Sequence, residues 1–421
     1  MTDDIRERLA QNKQQTDAMR KRHTKQHYQE LAEARAKGIK VAWTPAALVP
    51  ELLDALGILP CAPENYSALC ASKQLAAKFC EAGELRGISP DVCSYGRCIM
   101  GMMWENDGPY GPMPPPDLVI NDPTFCDAHA KMWEIPSIHY NVPSFRLDGA
   151  FRFTGDVTQR DVDWRVSELR RLVGFCEEHL GVQFDNDRFK ENMRIAGEVR
   201  ALYNEMQVLR KERPCPRSTR ETVADIFYLV ALPHRPEARD YFTLVVEECR
   251  ERVKHKIGIV PDERFRLFYD NIAIWYWLPF YDYFHERGAA FVADAYSNTI
   301  FNGYYADGGV FDPEKPFESL ALRLIYNQVC TGVVPNLERY ARYIEEWQCD
   351  GAVLFVNRGC KVLTSGNLDK ANTITSRYGV PILEFEGEMA DPRSIDRVEV
   401  EGRSSIFLDM LATRAEKTKQ G

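Results

Sequence analysis

The segment "GAVLFVNRGC", Gly351–Cys360, contains an apolar run, a turn and a cysteine in that order. A continuous apolar run of this length is typical of a strand buried on both faces, as in a parallel sheet. Similar runs, each followed by turn residues or a helical pattern, are "KVAWTP" (40–45), "DVCSY" (91–95), "DLVIND" (117–122), "SIHYNVP" (137–143), "RFRLFYDNIAIW" (264–275), "AAFVADAYS" (289–297) and "VPILEFEGE" (380–388). This alternation predicts parallel sheets that are covered by helices.

Between the two groups of runs, the pattern becomes helical. The segment "DVDWRVSELRRLVGFCEEHLG" (161–181) places its apolar residues on one helical face. The sequence therefore predicts four parts: an N-terminal helical arm (1–38), a first α/β domain (39–150), a helical section (151–262) and a second α/β domain (263–421). The predicted fold class is α/β, with two Rossmann-like parallel-sheet domains that face each other across a cleft.

Composition and charge exclude several classes of partner. The chain has 421 residues, of which 45% are hydrophobic, so it can bury a large core. A net charge of −9 argues against a general nucleic-acid or anionic-membrane binder. The first 40 residues are highly charged and lack the apolar core of a signal peptide, and no apolar run reaches membrane-spanning length. We therefore expect a soluble cytoplasmic protein with no nucleic-acid and no membrane partner.

The sequence lacks the common motifs of nucleotide and hydrolase sites. It contains no G-x-G-x-x-G, no P-loop, no G-x-S-x-G and no H-E-x-x-H. Its histidines are scattered, and a lone histidine is more often a structural hydrogen-bonding group than a ligand. We interpret His129, His139 and His234 in that way.

Three of the twelve cysteines share a position relative to the predicted strands. Cys93, Cys126 and Cys360 each come at or soon after the carboxyl end of such a strand, the edge where ligands of open α/β sheets lie. If the two α/β domains face each other, the three thiols converge in the cleft. Three thiolates suit a soft metal or an iron–sulfur cluster, with one iron left open to water or substrate.

The alternative is that these cysteines are small buried hydrophobes, which from composition alone is the better account. It fits Cys176, Cys249 and Cys330, which lie in helical patterns. Cys98, five residues after Cys93, is interpreted as a bystander on the following helix. Arg97 has two open interpretations, as a charge partner of a cluster or as part of a turn.

Five segments together resemble the 2-hydroxyacyl-CoA dehydratase and benzoyl-CoA reductase family. The resemblance runs from about residue 30 to the carboxyl terminus, with the motifs in the expected order. The "PEN" segment, Pro63–Asn65, and the chain length are similar to those of the larger, substrate-handling subunit. The five segments are "GIKVAWTPAALVPELLDALGILPCAPENY", "DVCSYGR", "MPPPDLVINDPTFCDAHAKMWE", "CDGAVLFVNRGCKV" and "GVPILEFEGEMADPRS".

The resemblance implies an iron–sulfur enzyme that acts on an acyl-CoA substrate. It implies a [4Fe–4S] cluster in the cleft held by Cys93, Cys126 and Cys360, and a heterodimer with a smaller homologous iron–sulfur subunit. A separate ATP-hydrolysing iron–sulfur activator would inject one electron, giving a ketyl radical from which water is eliminated. Glu64 matches an acidic residue near the substrate, with a proposed role in proton transfer. The alternative for Glu64 is a helix-terminal charge.

One departure from the family pattern keeps other functions open. Where the dehydratases are expected to have a serine, this chain has Ala46, and Thr44 is offset from that position. The alternatives are a subunit of an ATP-dependent benzoyl-CoA-type reductase, an electron-relay subunit without its own substrate, and a protein whose cysteines are merely buried. The aromatic segment Asn271–Phe284 is predicted either to line the substrate pocket or to form a buried strand and helix.

Overall fold

In residues 3–154 and 156–420, which the computed structural model describes, eight strands form two parallel sheets. Each sheet has four strands, and the first sheet lies entirely before the second in the chain. The strands are β1 (Lys40–Trp43), β2 (Ile58–Cys61), β3 (Leu118–Asn121), β4 (Ser144–Arg146), β5 (Phe265–Asp270), β6 (Ala289–Asp294), β7 (Gly351–Asn357) and β8 (Ile382–Gly387).

The two sheets have the same strand order. It is β2-β1-β3-β4 in the first and β6-β5-β7-β8 in the second, and all neighbouring strands are parallel. The direction of the strand order therefore changes between β1 and β3 and again between β5 and β7. Ligands of open α/β sheets lie beyond the carboxyl ends of the strands at this kind of switch point. The predicted α/β class with two Rossmann-like sheets is confirmed.

Helices cover the sheets and fill the section between them. The long helices α8 to α11 lie between the last strand of the first sheet and the first strand of the second, where the sequence predicts a helical section. The α-helices are α1 (Asp3–Glu33), α2 (Pro50–Ala55), α3 (Pro63–Ser72), α4 (Ala76–Leu85), α5 (Ser94–Glu105), α6 (Asp127–Met132), α7 (Glu134–Tyr140), α8 (Gln159–Leu180), α9 (Asn186–Leu209), α10 (Thr219–Ala231), α11 (Pro236–Lys254), α12 (Pro279–His285), α13 (Gly303–Ala306), α14 (Pro316–Ile325), α15 (Val333–Glu346), α16 (Lys361–Thr364), α17 (Asn367–Tyr378) and α18 (Arg397–Gln420).

Shorter helical turns complete the described elements. Four are 3₁₀ turns, at Arg35–Lys37, Trp275–Trp277, Gln328–Cys330 and Pro392–Ser394, and one is a π-helical turn at Tyr296–Ile300. None of the described helices combines the length and the apolar character that crossing a bilayer requires. The four predicted domain boundaries stay a prediction.

Two local predictions were wrong, and two short edge strands, β2 and β4, were not predicted. The run "DVCSY" forms the turn before α5 and the first two residues of that helix rather than a strand, and most of "SIHYNVP" belongs to α7. Strand β2 was not predicted, because "ILPC" has only four residues and contains Pro60. A proline removes a ladder hydrogen bond, which an edge strand such as β2 tolerates.

Helices α4 and α5 pack closely because glycines lie at their contact. A Cβ atom added at Gly101 of α5 would lie 1.9 Å from the backbone oxygen of Phe79 in α4. A Cβ added at Gly83 would lie 2.6 Å from the backbone oxygen of Arg97. Since both obstacles are backbone atoms, neither contact can be relieved by rotating a side chain. This contact fixes the position of α5, and with it the turn that holds Cys93.

Replacing Gly101 with alanine should lower the free energy of unfolding by about 1–3 kcal/mol, because the helices must move apart. Gly174→Ala is the matched control: it also lies inside a long helix, but its added Cβ would meet nothing within 4 Å. That change should raise the free energy of unfolding by about 0.5–1 kcal/mol. Chemical denaturation of the two variants measures both. Equal effects would contradict the close packing described for α4 and α5.

The N-terminal helix α1 is anchored on the helical section by buried histidines. Nδ1 of His23 lies 2.9 Å from the hydroxyl oxygen of Tyr228 in α10. The ring of His27 packs edge-on against Phe227, with 5.8 Å between ring centroids. Burial, with help from the positive charge of Arg235, lowers the pKa of His27 to about 3. His27 is therefore neutral in the folded protein.

This burial predicts an acid-sensitive attachment of α1. In the unfolded chain, His27 has its ordinary pKa of about 6.5, so below that pH the unfolded state binds more protons than the folded state. The stabilisation is complete above pH 6.5 and is lost as the pH falls toward 3, by about 1 kcal/mol between pH 6 and pH 5. Denaturant titrations at several pH values give the free energy of unfolding as a function of pH. Its slope should be shallower for His27→Leu than for the wild-type protein. The exposed control His139→Leu should keep the wild-type slope, and an unchanged slope in His27→Leu would contradict the prediction.

Candidate active site

The loops at both switch points open into one cavity. Ala46 follows β1, Cys126 follows β3, Ile272 follows β5 and Cys360 follows β7, and all four line the same cavity of about 120 Å³. We call this space the inner cavity. The loops at the carboxyl ends of the strands in both sheets therefore form a single site.

The three cysteines singled out from the sequence all line the inner cavity. Each occupies the position just before a helix: Cys93 before α5, Cys126 before α6 and Cys360 before α16. Backbone N–H groups interact with the sulfurs, from Gly96 for Cys93 and from Leu363 for Cys360. The backbone donors favour the thiolate form and any anionic group that the thiolates hold.

Without a bound metal, the three thiols retain their protons. Burial raises the pKa of Cys93 well above its ordinary value, and the neighbouring Cys360 and Cys126 raise it further. Burial raises the pKa of Cys126 to about 11, although backbone N–H groups of Ala128 and His129 oppose the effect. Burial likewise raises the pKa of Cys360. A metal that binds here must displace these protons, so its affinity depends on pH.

The three thiols are chemically suited to be ligands of an iron–sulfur cluster. Within the described part of the chain, no three His, Cys, Asp or Glu side chains lie close enough together to hold one metal ion. In an iron–sulfur cluster, each thiolate can bind a different iron, so thiols spread around one cavity are acceptable ligands. Three soft sulfur donors from three separate segments meet that requirement.

A glycine brings two of these cysteines together across the two sheets. A Cβ atom added at Gly359 would lie 2.7 Å from Cα of Cys93 and 3.0 Å from Oε2 of Glu388. The turn after β7 therefore packs directly against the turn before α5. Only a residue without a side chain fits between them, and this contact places Cys360 beside Cys93.

Arg97 holds the turn that carries Cys93. Its Nε donates to the backbone oxygen of Val92 at 2.9 Å, and its Nη1 lies 2.5 Å from Oε1 of Glu84 and 2.8 Å from Oδ2 of Asp391. The guanidinium thus connects α4, the Cys93 turn and the loop after β8. Of the two interpretations that the sequence left open, the contacts are those of a turn anchor.

Glu64 forms a partly buried ion pair with His129 at the wall of the inner cavity. Oε1 of Glu64 lies 2.8 Å from Nε2 of His129, and Oε2 accepts the backbone N–H of Ala46 at 2.7 Å. Burial alone would raise the pKa of Glu64, but the His129 charge and these hydrogen bonds outweigh it and lower the pKa. The Glu64 carboxylate raises the pKa of His129 against the effect of burial. The pair favours a carboxylate beside an imidazolium, which can give up one proton.

His129 lines the inner cavity, although the sequence interpretation did not include it among the site residues. A structural role was predicted for it, but the structure places it on the cavity wall in contact with Glu64. Its partner lies 65 residues earlier in the chain, so no local motif joins the two. The one available signal was its position three residues after Cys126, in the short helix that follows that cysteine.

A second cavity of about 300 Å³ adjoins the inner one and is called the outer cavity. Ala46, Glu64, Tyr95 and Tyr296 line both cavities and form the neck between them. The hydroxyl of Tyr95 accepts the indole N–H of Trp275 and is hydrogen-bonded to Tyr296. Burial raises the pKa of both tyrosines, so their hydroxyls stay protonated.

The walls of the outer cavity come mainly from α1, α3 and α10. Arg20 and Lys21 of α1 lie along it, facing apolar residues of α10 such as Phe227. The aromatic segment 271–284 contributes Ile272 to the inner cavity and Trp275 and Leu278 to the outer one. Its other residues lie outside both walls, so part of the segment lines the cavities and part packs in the core.

The remaining cysteines considered in the sequence lie outside the inner cavity. Cys98 is fully buried on α5, where its thiol contacts those of Cys70 and Cys80. This position agrees with its interpretation as a bystander. The three cysteines assigned to the core are buried as well: Cys176, Cys249 and Cys330.

Comparison with known proteins agrees with this site. The family model described as 2-hydroxyglutaryl-CoA dehydratase, D-component, matches residues 48–411. The chain belongs to this family. The matched region includes Glu64, all three cavity cysteines and both sheets except β1.

Three curated relatives match this family member over most of its length. The (R)-2-hydroxyisocaproyl-CoA dehydratase alpha subunit of Clostridioides difficile is 25% identical over 396 residues, covering 92% of this chain and 94% of the relative. The (R)-phenyllactyl-CoA dehydratase alpha subunit of Clostridium sporogenes is 25% identical, with coverages of 91% and 92%. A benzoyl-CoA reductase subunit from Thauera aromatica is 26% identical, also with coverages of 91% and 92%. The chain is an enzyme subunit of this dehydratase and reductase family.

Proposed function

We propose that the chain is the larger subunit of an (R)-2-hydroxyacyl-CoA dehydratase, working with a smaller homologous iron–sulfur subunit and an ATP-hydrolysing iron–sulfur activator. The observation that carries this proposal is that Cys93, Cys126 and Cys360 line one apolar cavity together with the Glu64–His129 pair. The alpha-subunit names of two relatives support a partner subunit. A cytoplasmic location remains part of the proposal.

The three cysteines would hold a [4Fe–4S] cluster, which when bound supplies one-electron redox chemistry and an iron open to a substrate oxygen. The electron delivered by the activator would convert the acyl-CoA into a ketyl radical anion. The inner cavity protects such a radical by excluding water, because its walls are mostly apolar. The N–H groups that approach the cysteine sulfurs stabilise added negative charge.

Glu64 and His129 provide the proton transfers that dehydration requires. His129 gives its proton to the departing hydroxyl group, which leaves as water. The pair then takes one proton from the β-carbon, so that its starting state is restored. The Glu64–His129 pair thus loses one proton and regains one. The substrate radical returns the injected electron at the end of each turnover, so dehydration consumes no net electron. The hydrogen bond from Ala46 keeps the Glu64 carboxylate directed at the neck.

The outer cavity suits the pantetheine arm of a CoA thioester. It adjoins the inner cavity at the neck and is partly apolar, with the cations Arg20 and Lys21 along its side. An acyl-CoA can therefore place its thioester at the neck and its acyl group in the inner cavity. This arrangement supports a substrate that enters past α1.

A benzoyl-CoA-type reductase is the second candidate, and the residues after β1 favour it. Ala46 supplies no hydroxyl at the neck, and the hydroxyl of Thr44 is directed to the backbone oxygen of Pro45 at 3.2 Å. Thr44 lines neither the inner nor the outer cavity. The hydroxyls at the neck are instead those of Tyr95 and Tyr296.

Electron stoichiometry distinguishes the two functions. The protein, co-expressed with its partner and assayed without oxygen with activator and ATP, should turn over many 2-hydroxyacyl-CoA molecules for each electron consumed. Electron consumption in proportion to product would favour the reductase and contradict the dehydratase. A negligible iron and sulfide content in anaerobically purified protein would contradict both.

A further inference from the structure

We infer that the acyl group accepted by the inner cavity is apolar and uncharged and carries no second carboxylate. This inference rests on the proposed function and narrows the class of acyl-CoA substrates that it allows. The family is named after a dicarboxylic acyl group, 2-hydroxyglutaryl, so membership alone does not decide between charged and uncharged substrates. The residues around the cavity do.

The walls of the inner cavity are apolar on nearly every side. Six of the larger apolar residues come from α5, from the segment around α6 and from the loop after β6. They are Ile99, Met100, Phe125, Trp133, Ile300 and Phe301. Binding is stabilised when such walls cover an apolar group, and it is destabilised when they face a charge.

No lysine or arginine lines the inner cavity within the described residues. Its charged side chains are Glu64 and His129, which already pair with each other. Asn327 adds a neutral amide whose Oδ1 accepts the backbone N–H of Val329 at 3.1 Å. An additional carboxylate would meet no free cation here and would lie near the negative charge of Glu64.

The nearby buried cations are engaged elsewhere. Nζ of Lys370, close enough to Cys360 to influence its thiol, lies 2.7 Å from Oδ2 of Asp270 and 3.0 Å from Oδ1 of Asn367. Arg97 is held by Glu84 and Asp391. Recruiting Lys370 for a substrate would leave the buried Asp270 without its ion-pair partner, and recruiting Arg97 would break its ion pairs with Glu84 and Asp391.

Two unreactive thioesters test the inference by equilibrium binding. Isocaproyl-CoA and glutaryl-CoA share the CoA part and lack the hydroxyl group, and they differ at the end of the acyl chain. Calorimetry on the anaerobically purified heterodimer with its cluster should show isocaproyl-CoA binding at least about tenfold more tightly. Equal binding, or tighter binding of glutaryl-CoA, would overturn the inference but leave the proposed function standing. Failure of both thioesters to bind would overturn the proposed function as well.

A positive charge placed in the cavity should weaken the preference for isocaproyl-CoA over glutaryl-CoA. Met132 lines the inner cavity and its thioether packs over Gly96. Met132→Lys provides a cation of similar length and should reduce the ratio of the two affinities by about tenfold or more. Met132→Gln is the matched control, polar but uncharged, and should leave the preference for isocaproyl-CoA in place. An equal change of the affinity ratio in both variants would show that polarity rather than charge sets the preference. That result would overturn the inference.

Discussion

If the proposed function is right, replacing Cys360 with alanine should remove the proposed iron–sulfur cluster from the protein and its activity with it. Cys360 supplies one of three thiols around the inner cavity, and no spare thiol lines that cavity among the described residues. Two remaining thiolates cannot hold a cubane that is already one protein ligand short of four. Iron and sulfide content should fall to near zero in anaerobically purified protein, and turnover should fall by at least about 100-fold. Cys93→Ala and Cys126→Ala should behave in the same way.

Cys176→Ala provides the matched control. Cys176 is fully buried on α8 and does not line the cavity, so its removal tests the loss of a buried thiol alone. That variant should retain iron, sulfide and the spectrum of the wild-type protein. A full cluster with native spectra in Cys360→Ala would show that the ligand assignment is wrong.

Two of the three cavity cysteines were predictable because each follows a strand. In a parallel sheet, the carboxyl ends of neighbouring strands meet at one edge, so Cys126 after β3 and Cys360 after β7 could be placed from the sequence. Cys93 was expected to follow a strand as well, but the turn between α4 and α5 carries it. The sequence interpretation therefore named a residue that does line the cavity, and gave the wrong structural reason for it.

The position of Cys93 depends on contacts that no local pattern reveals. It reaches the cavity because glycines let α5 approach α4 and let the turn after β7 approach Cys93 itself. A glycine in the sequence indicates backbone freedom or a close approach, but it does not say which segment approaches. The same limit applies to the Glu64–His129 pair, whose members lie 65 residues apart in the chain and meet only in the folded protein.

The strand order shows why the fold was easier to predict than the site. Alternating apolar runs and helices determine the class, because parallel strands need helical crossovers. Two short edge strands, β2 and β4, were missed without changing that class. A site, in contrast, depends on individual side chains from many loops, and one missed residue, such as His129, changes its chemistry.

Replacing Glu64 with glutamine should stop the proposed proton transfer while leaving the proposed cluster and the fold in place. Glutamine keeps the size of the side chain and can still accept the backbone N–H of Ala46, but it carries no charge to pair with His129. Loss of a positioned acid–base group costs about 10²–10⁴-fold in turnover. Iron content, the anaerobic spectrum and the affinity for isocaproyl-CoA should stay close to those of the wild-type protein.

A double-mutant cycle tests whether Glu64 and His129 work as one unit. If they share a single proton, His129→Gln should cost about as much as Glu64→Gln, and the double variant should lose little more than either single variant. The control Glu134→Gln changes an exposed glutamate on α7 that pairs with Arg146 at 3.0 Å, and it should keep full activity. Strictly additive losses would mean that the two residues act separately, and full activity in Glu64→Gln would exclude the carboxylate from the reaction, since only its charge has been removed.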